Sequence, residues 1–342
     1  MVAVPRLGLA LGGGGARGLA HLGVLSVLDE AGLRPEVIVG TSFGALAGAA
    51  ALTHSGGVEK VIATASVYLN GEEFKETQLA HFREYQEELS GSLFADFRKY
   101  LRRGYYYNLA RIRASFIPPD EFERSVAAFV PDRTIESLPC RFGAVAADFA
   151  DGTELLFDRG SLRLAVQASC AIPGVMAPVA VAERTCIDGG WVNVVPVSAV
   201  ESLGADFVIA VDVSPGLGPE LDLGSGLNVV SRGDSILSQR LKDLQLGRAD
   251  VVVRCGLAGI EWAEFARADE IIDHGRRAAE EALPAILDRW EGAQSWPHRW
   301  RRGLEARLVR RGWVRSARPL PVRVSATEPI RPPVDGTTEE PA

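Results

Sequence analysis

Three short segments of the 342-residue chain carry residue types that can do chemistry. The first is Gly12-Gly13-Gly14-Gly15-Ala16-Arg17-Gly18. Glycines let the backbone approach a ligand closely and aim several N–H groups at one point. A helix N-terminus behind such a loop adds a positive field. The segment can therefore stabilise negative charge, either a bound phosphate or a developing oxyanion. Gly13, Gly15 and Gly18 also fit the GxGxxG spacing of a dinucleotide site. The second segment is Gly40-Thr41-Ser42-Phe43-Gly44, between the apolar run Val37–Val39 and an alanine-rich stretch. A GxSxG sequence in that setting fits a strand–turn–helix elbow that presents Ser42 as a nucleophile. A dinucleotide fold wants an acid at the end of this second strand, and none is there. The third segment is Ile187-Asp188-Gly189-Gly190, where Asp-Gly alone reads as a plain turn.

The histidines are His21, His54, His81, His274 and His298. The order Ser42, Asp188, His274 matches the triad order of an α/β-hydrolase. Against that reading, Ser42 follows only the second strand, and no histidine lies in a motif. Asp148 and Asp212 each end an apolar run and read as cap or turn residues. Cys140, Cys170, Cys186 and Cys255 are far apart, with no CxxC pair and no zinc-ligand spacing. They read as buried thiols, and the expectation is no metal and no cofactor.

These residues need elements to hold them. Arg6–Leu11 reads as a buried strand ended by glycines, 17–31 as a helix, Glu36–Gly40 as a second strand and Ser42–Leu52 as a second helix. This β-α-β-α order predicts a parallel sheet with helices on its faces. Residues 55–130 break the pattern. They are polar and aromatic, with Phe74, Phe82, Tyr85, Phe94, Phe97, Tyr100 and Tyr105–Tyr107, and read as a helical insert, either a cover over a groove or a packing layer. Strands resume at Phe142–Ala147 and Glu154–Phe157 around an Asp151-Gly152 turn, then at 178–187, 206–212 and 250–254. Helices are expected at 160–169, 197–203, 228–246 and 264–286.

Taken together, the three segments resemble the patatin-like phospholipase family, which carries a glycine-rich oxyanion loop with a basic residue, a GxSxG serine and an Asp in a DG[GA] motif. The surroundings fit as well: Ala168-Ser169 through Ile172-Pro173-Gly174, then Asp188-Gly189-Gly190 with Asn193 and Pro196 after it. The resemblance covers about 6–215, and more weakly to about 286. It implies a three-layer α/β/α sandwich with a mostly parallel central sheet. It implies a Ser42–Asp188 dyad, oxyanion donors on Gly13, Gly14 and Gly15, and a role for Arg17 in loop geometry or substrate phosphate binding. It also implies the family's activity, lipid ester hydrolysis. A catalytically silent lipid-binding or regulatory protein on the same fold is the other class.

Composition sets the remaining bounds. The chain is 47% hydrophobic and 24% charged, with a net charge of −7, which is ordinary globular composition and not that of a nucleic-acid binder. Its longest apolar stretch, Phe43–Leu52, is too short to span a bilayer, and no signal peptide is read at the N-terminus. Within 298–323, nine Arg stand against one Glu, with Trp300 and Trp313 among them. That pattern suits an anionic membrane surface or a helix docked on an acidic body. The expected organisation is a catalytic domain over 1–286, a basic Trp/Arg-rich helical segment over 287–315 and a disordered tail over 316–342. The expected location is cytoplasmic, with 298–315 as the contact if the protein meets the inner face of the membrane.

Overall fold

A computed structural model describes residues 5–78, 80, 115–218, 226–295 and 321–327. Among the described residues, nine strands form one sheet. They are β1 (Leu7–Leu11), β2 (Val37–Thr41), β3 (Arg141–Asp148), β4 (Glu154–Gly160), β5 (Val179–Val181), β6 (Arg184–Asp188), β7 (Phe207–Asp212), β8 (Val251–Arg254) and β9 (Val322–Ala326). The order is β5-β6-β3-β2-β1-β7-β8, with β4 also paired to β3 and β9 to β4. The centre, β3-β2-β1-β7-β8, is parallel, and β4 and β6 pair antiparallel with β3.

The helices are α1 (Ala20–Glu30), α2 (Phe43–Thr53), α3 (Gly57–Asn70), α4 (Glu72–Lys75), α5 (Pro119–Ala127), α6 (Leu162–Ser169), α7 (Val197–Ser202), α8 (Gly226–Leu246) and α9 (Ala268–Gln294). Strand alternation sorts the core into two halves. Leu7, Leu9, Leu11, Ile38, Phe142 and Ile209 face one side, under α1, α2, α3, α6 and α9. Ala10, Val37, Val39, Val208 and Ala210 face the other, under α7 and Leu246 of α8. Both faces of the central strands are buried, so their sequences run apolar without a polar register, as parallel sheets require. The result is the expected three-layer α/β/α sandwich. No described helix is long and apolar enough to cross a membrane.

Several expectations are corrected. The segment 178–187 is not one strand. It breaks into β5 and β6 at a turn where Ala182 adopts φ 52°. The tail over 316–342 is not wholly irregular, because Val322–Ala326 forms β9 against the free edge of β4, Leu155 opposite Val322. Pro, Thr and Glu dominate that tail, but these five residues alternate apolar and polar and cover an edge that would otherwise stay open. The boundary expected at 286 falls inside α9, which continues to Gln294 because Trp290 packs edge-on against Phe207 at 5.4 Å. Within the insert, Val61, Leu69, Phe74, Phe122 and Val126 join the core. Phe82, Tyr85, Phe94, Phe97, Tyr100, Tyr105–Tyr107, His81, His298 and the 298–315 segment lie outside the described residues.

Candidate active site

Sheet register brings Ser42 and Asp188 together. Thr41 is the last residue of β2 and pairs with Val145 of β3. One step further along β3, Ala146 pairs with Asp188, the last residue of the antiparallel strand β6. β2 and β6 thus meet end to end along one edge of β3, and the residues at their tips, Ser42 and Asp188, become neighbours.

Ser42 lies at the turn into α2 with φ 55° and ψ −128°, a conformation that is strained for any residue with a side chain. The turn is tight on both sides of the serine. A side chain at Gly40 would overlap the backbone of Gly44 and Ala45, and one at Gly44 would overlap the carbonyl of Leu11. The Ser42 N–H donates to Ser169 Oγ at 2.8 Å, and Ser169 Oγ–H donates to the Val145 carbonyl at 2.6 Å.

Asp188 is buried. Its Oδ1 accepts the Gly190 N–H at 2.7 Å. Its Oδ2 is buried without a well-formed hydrogen bond. Burial pushes its pKa up to about 6, while the Ser42 hydroxyl and the Gly190 N–H pull against that shift. Gly189 packs on the Val145 carbonyl, where a side chain would not fit. His274 lies on α9, a turn after Glu270. No described histidine hydrogen-bonds Ser42 or Asp188, so the triad alternative has no geometry here.

The glycine loop runs from the end of β1 across Ser42. A Cβ on Gly13 would stand 3.4 Å from Ser42 Cβ. The Gly13 N–H, expected as an oxyanion donor, donates instead to the Val194 carbonyl at 2.9 Å. Gly14 and Gly15 N–H make no such bond among the described residues, and Gly15 lines the same cavity as Ser42. Two side chains hold the loop. Arg17 Nε donates to the Gly14 carbonyl at 3.3 Å. His21 Nε2 lies 2.7 Å from the Gly12 carbonyl, which can only accept, so Nε2 carries the proton. Burial lowers the His21 pKa to about 4 and keeps the ring neutral. His21 reads from sequence as structural, and that is its place here.

Two acids read as turn residues have that role. Asp148 accepts the Ala150 N–H at 2.9 Å and pairs with Arg184. Asp212 accepts Ser214 N–H at 3.0 Å and Ser214 Oγ–H at 2.6 Å. It also forms an ion pair with Lys242 at 3.0 Å, with both side chains buried. The lysine is a member that sequence reasoning missed, because on an amphipathic helix it looks solvated. Its signal was the polar Asp212-Val213-Ser214 at a strand end, which needs a cation or donor when buried.

Two openings flank the dyad. One is an apolar cavity lined by Phe43, Leu46, Phe74, Phe129, Met176 and Phe265, with Ser42 at its edge. The other is a groove between the glycine loop and α8, where Arg17, Gly190, Trp191, Ser214 and Ser238 meet. All four described cysteines are free and mostly buried, and burial raises the pKa of each.

The profile of the Patatin-like phospholipase family matches residues 9–200, which include the glycine loop, Ser42 and Asp188. An NTE family protein of Mycobacterium tuberculosis is 33% identical over 210 residues, 61% of this chain and 49% of that protein. Lysophospholipase NTE1 of Scheffersomyces stipitis is 27% identical over 207 residues, 60% of this chain and 12% of that protein. Among solved structures, VipD from Legionella pneumophila is similar at 16% identity and a TM-score of 0.42, covering 81% of this chain and 67% of that one. The chain spans about half the length of the bacterial relative and a smaller share of the fungal one. With more than half of its residues matched by the family profile, the chain belongs to the patatin-like phospholipase family.

Proposed function

We propose that the protein is a lipid acyl hydrolase that cleaves carboxylic esters through an acyl-enzyme on Ser42, with Asp188 as its base. Ser42 Oγ attacks the ester carbonyl while its proton passes to Asp188. Gly14 and Gly15 N–H stabilise the oxyanion, a narrower set than the sequence implies because Gly13 N–H is engaged elsewhere. The ester C–O bond then breaks, and the leaving alcohol takes the proton from Asp188. Water attacks the acyl-serine with Asp188 again as base, and the fatty acid leaves.

The observation that carries this reading is the strained Ser42 held beside a buried Asp188 whose pKa rises to about 6. A carboxylate at its ordinary pKa is a weak base, and one near 6 is much better matched to neutral pH. The apolar cavity suits an acyl chain. Arg17, with its Nε on the loop, directs its remaining N–H groups toward the substrate's polar or phosphate end. A relative named a lysophospholipase makes single-chain phospholipids the first substrates to try. The mechanism uses no metal, so a chelator should leave the rate unchanged. The basic 298–315 segment is proposed as a contact for anionic membrane, and its deletion should weaken liposome binding.

A fluorophosphonate probe tests the dyad. Labelling should map to Ser42, vanish in Ser42→Ala, fall sharply in Asp188→Asn and persist in His274→Ala. Well-folded protein that takes no label would instead be a silent lipid-binding member of the fold.

A further inference from the structure

Eleven large apolar side chains stand exposed among the described residues, and seven of them gather on one flank. Five lie on α8: Val229, Val230, Ile236, Leu237 and Leu244, the last two 71% and 75% exposed. Their spacing follows the helical period, with Gly233 and Arg240 on the same face, so they form one stripe along the outer side of the helix. The opposite side of α8 buries Lys242 and Leu246. The stripe is therefore a second apolar face, distinct from the side that packs on the core. Trp191 and Leu217 extend it across the groove toward Asp188.

Patches of this kind mark a protein or a membrane contact. Position decides between them here. Trp191, Leu217 and Leu237 line the groove together with Arg17 and Gly190, so the stripe forms one lip of an opening that reaches Gly190, whose N–H donates to Asp188. A second protein copy seated on it would close that opening. A bilayer would instead present lipid to it. The charge pattern agrees, because Arg240 sits within the stripe without an ion-pair partner among the described residues, and its long side chain can reach out to lipid phosphates. Trp191 at the edge is a residue that suits the boundary between water and acyl chains.

We propose that the outer face of α8, with Trp191 and Leu217 at its rim, docks on a bilayer containing anionic phospholipid and feeds lipid ester into the groove beside Asp188. This rests on the hydrolase reading and names the surface through which that activity meets its substrate. It differs from the basic 298–315 segment in kind, since its main contribution is aliphatic.

The test separates docking from chemistry. Binding is measured by flotation with full-length Ser42→Ala protein, so that hydrolysis does not alter the vesicles. The vesicles are phosphatidylcholine with and without phosphatidylglycerol. Ile236→Asp/Leu244→Asp should weaken binding by more than about tenfold, while Val67→Asp, an equally exposed site elsewhere, should not change it. Arg240→Glu should weaken binding only to vesicles that contain phosphatidylglycerol. With Ser42 restored, the α8 double variant should cleave a water-soluble p-nitrophenyl ester within about twofold of wild type, which reports intact folding, but lose activity on vesicle lipid. Undiminished vesicle binding by the double variant overturns the proposal. So does a solution dimer that the double variant dissociates while vesicle binding stays. Absence of all ester hydrolysis would remove the hydrolase reading alone, because the flotation result stands without it.

Discussion

The backbone N–H of Ser42 is held by the side chain of Ser169, 127 residues away, at 2.8 Å. The same hydroxyl donates a hydrogen bond to the Val145 carbonyl at 2.6 Å. This bond pins the elbow at the residue whose φ is strained. Ser169→Ala leaves a buried N–H and a buried carbonyl without partners, which costs about 1–3 kcal/mol. The expected outcome is a lower unfolding midpoint together with a fall in kcat, measured by chemical denaturation and ester hydrolysis. Ser169→Thr, which keeps the hydroxyl, should recover part of the kcat, and equal losses for Ala and Thr would show that the hydroxyl has no positioning role.

Strain at Ser42 predicts a stability difference between two inactive variants. Ser42→Ala keeps a Cβ at φ 55°, whereas Ser42→Gly removes it. The strain is about 1–3 kcal/mol, and the greater freedom of glycine in the unfolded chain returns about 0.4–1. Ser42→Gly should therefore be the more stable of the two by about 1 kcal/mol in urea titration.

Much of this architecture is legible in the sequence, and the reason is local. Gly8-Leu9-Ala10-Leu11 and Val37-Ile38-Val39 are continuous apolar runs, and Gly44 is required by its contact with Leu11, so strand and elbow declare themselves in a few residues. In the sequence, only the family resemblance pairs Ser42 with Asp188, since the register along β3 that joins them spans the chain. What sequence missed is non-local in the same way. Nothing around Ser169 shows that its partner is Ser42. Nothing around Gly13 shows that Val194 will take its N–H. β9 exists because β4 has an open edge, a fact about the assembled sheet.

The Asp212–Lys242 pair ties α8 to the end of β7, just beyond Val211, whose carbonyl accepts the Gly12 N–H at 3.1 Å. Removing one partner strands a buried charge. Lys242→Met should destabilise by about 3–5 kcal/mol. Adding Asp212→Asn should recover a large part of that, because no uncompensated charge remains. Additive losses in a double-mutant cycle would show that the pair is not coupled.

His21 predicts a catalytic effect without contact to substrate. His21→Leu leaves the buried Gly12 carbonyl without its donor at 2.7 Å and loosens the loop that carries Gly14 and Gly15. The expected pattern is a fall of about tenfold or more in kcat with KM little changed, since the loop acts on the oxyanion and not on the bound ester. Affinity for a trifluoromethyl ketone that mimics the oxyanion should fall in parallel. His21→Gln, which can present an N–H to the same carbonyl, should retain more of both.

The raised pKa of Asp188 ties activity and stability to pH with opposite signs. As a base it must be ionised, so kcat/KM should rise through a limb near pH 6 and level off above it. For stability, the folded pKa of about 6 lies above the ordinary 3.8, so between those values the folded state binds more protons than the unfolded state. Stability then falls as pH rises through this window, by about 3 kcal/mol for a shift of this size in a fully buried group. Asp188→Asn carries no such proton. The difference in unfolding free energy between wild type and Asp188→Asn should move in favour of the variant from about pH 4 to pH 6 and stay level above. A difference that does not change with pH across that range would mean that Asp188 keeps an ordinary carboxylate pKa, and the kcat/KM limb would have to come from another group.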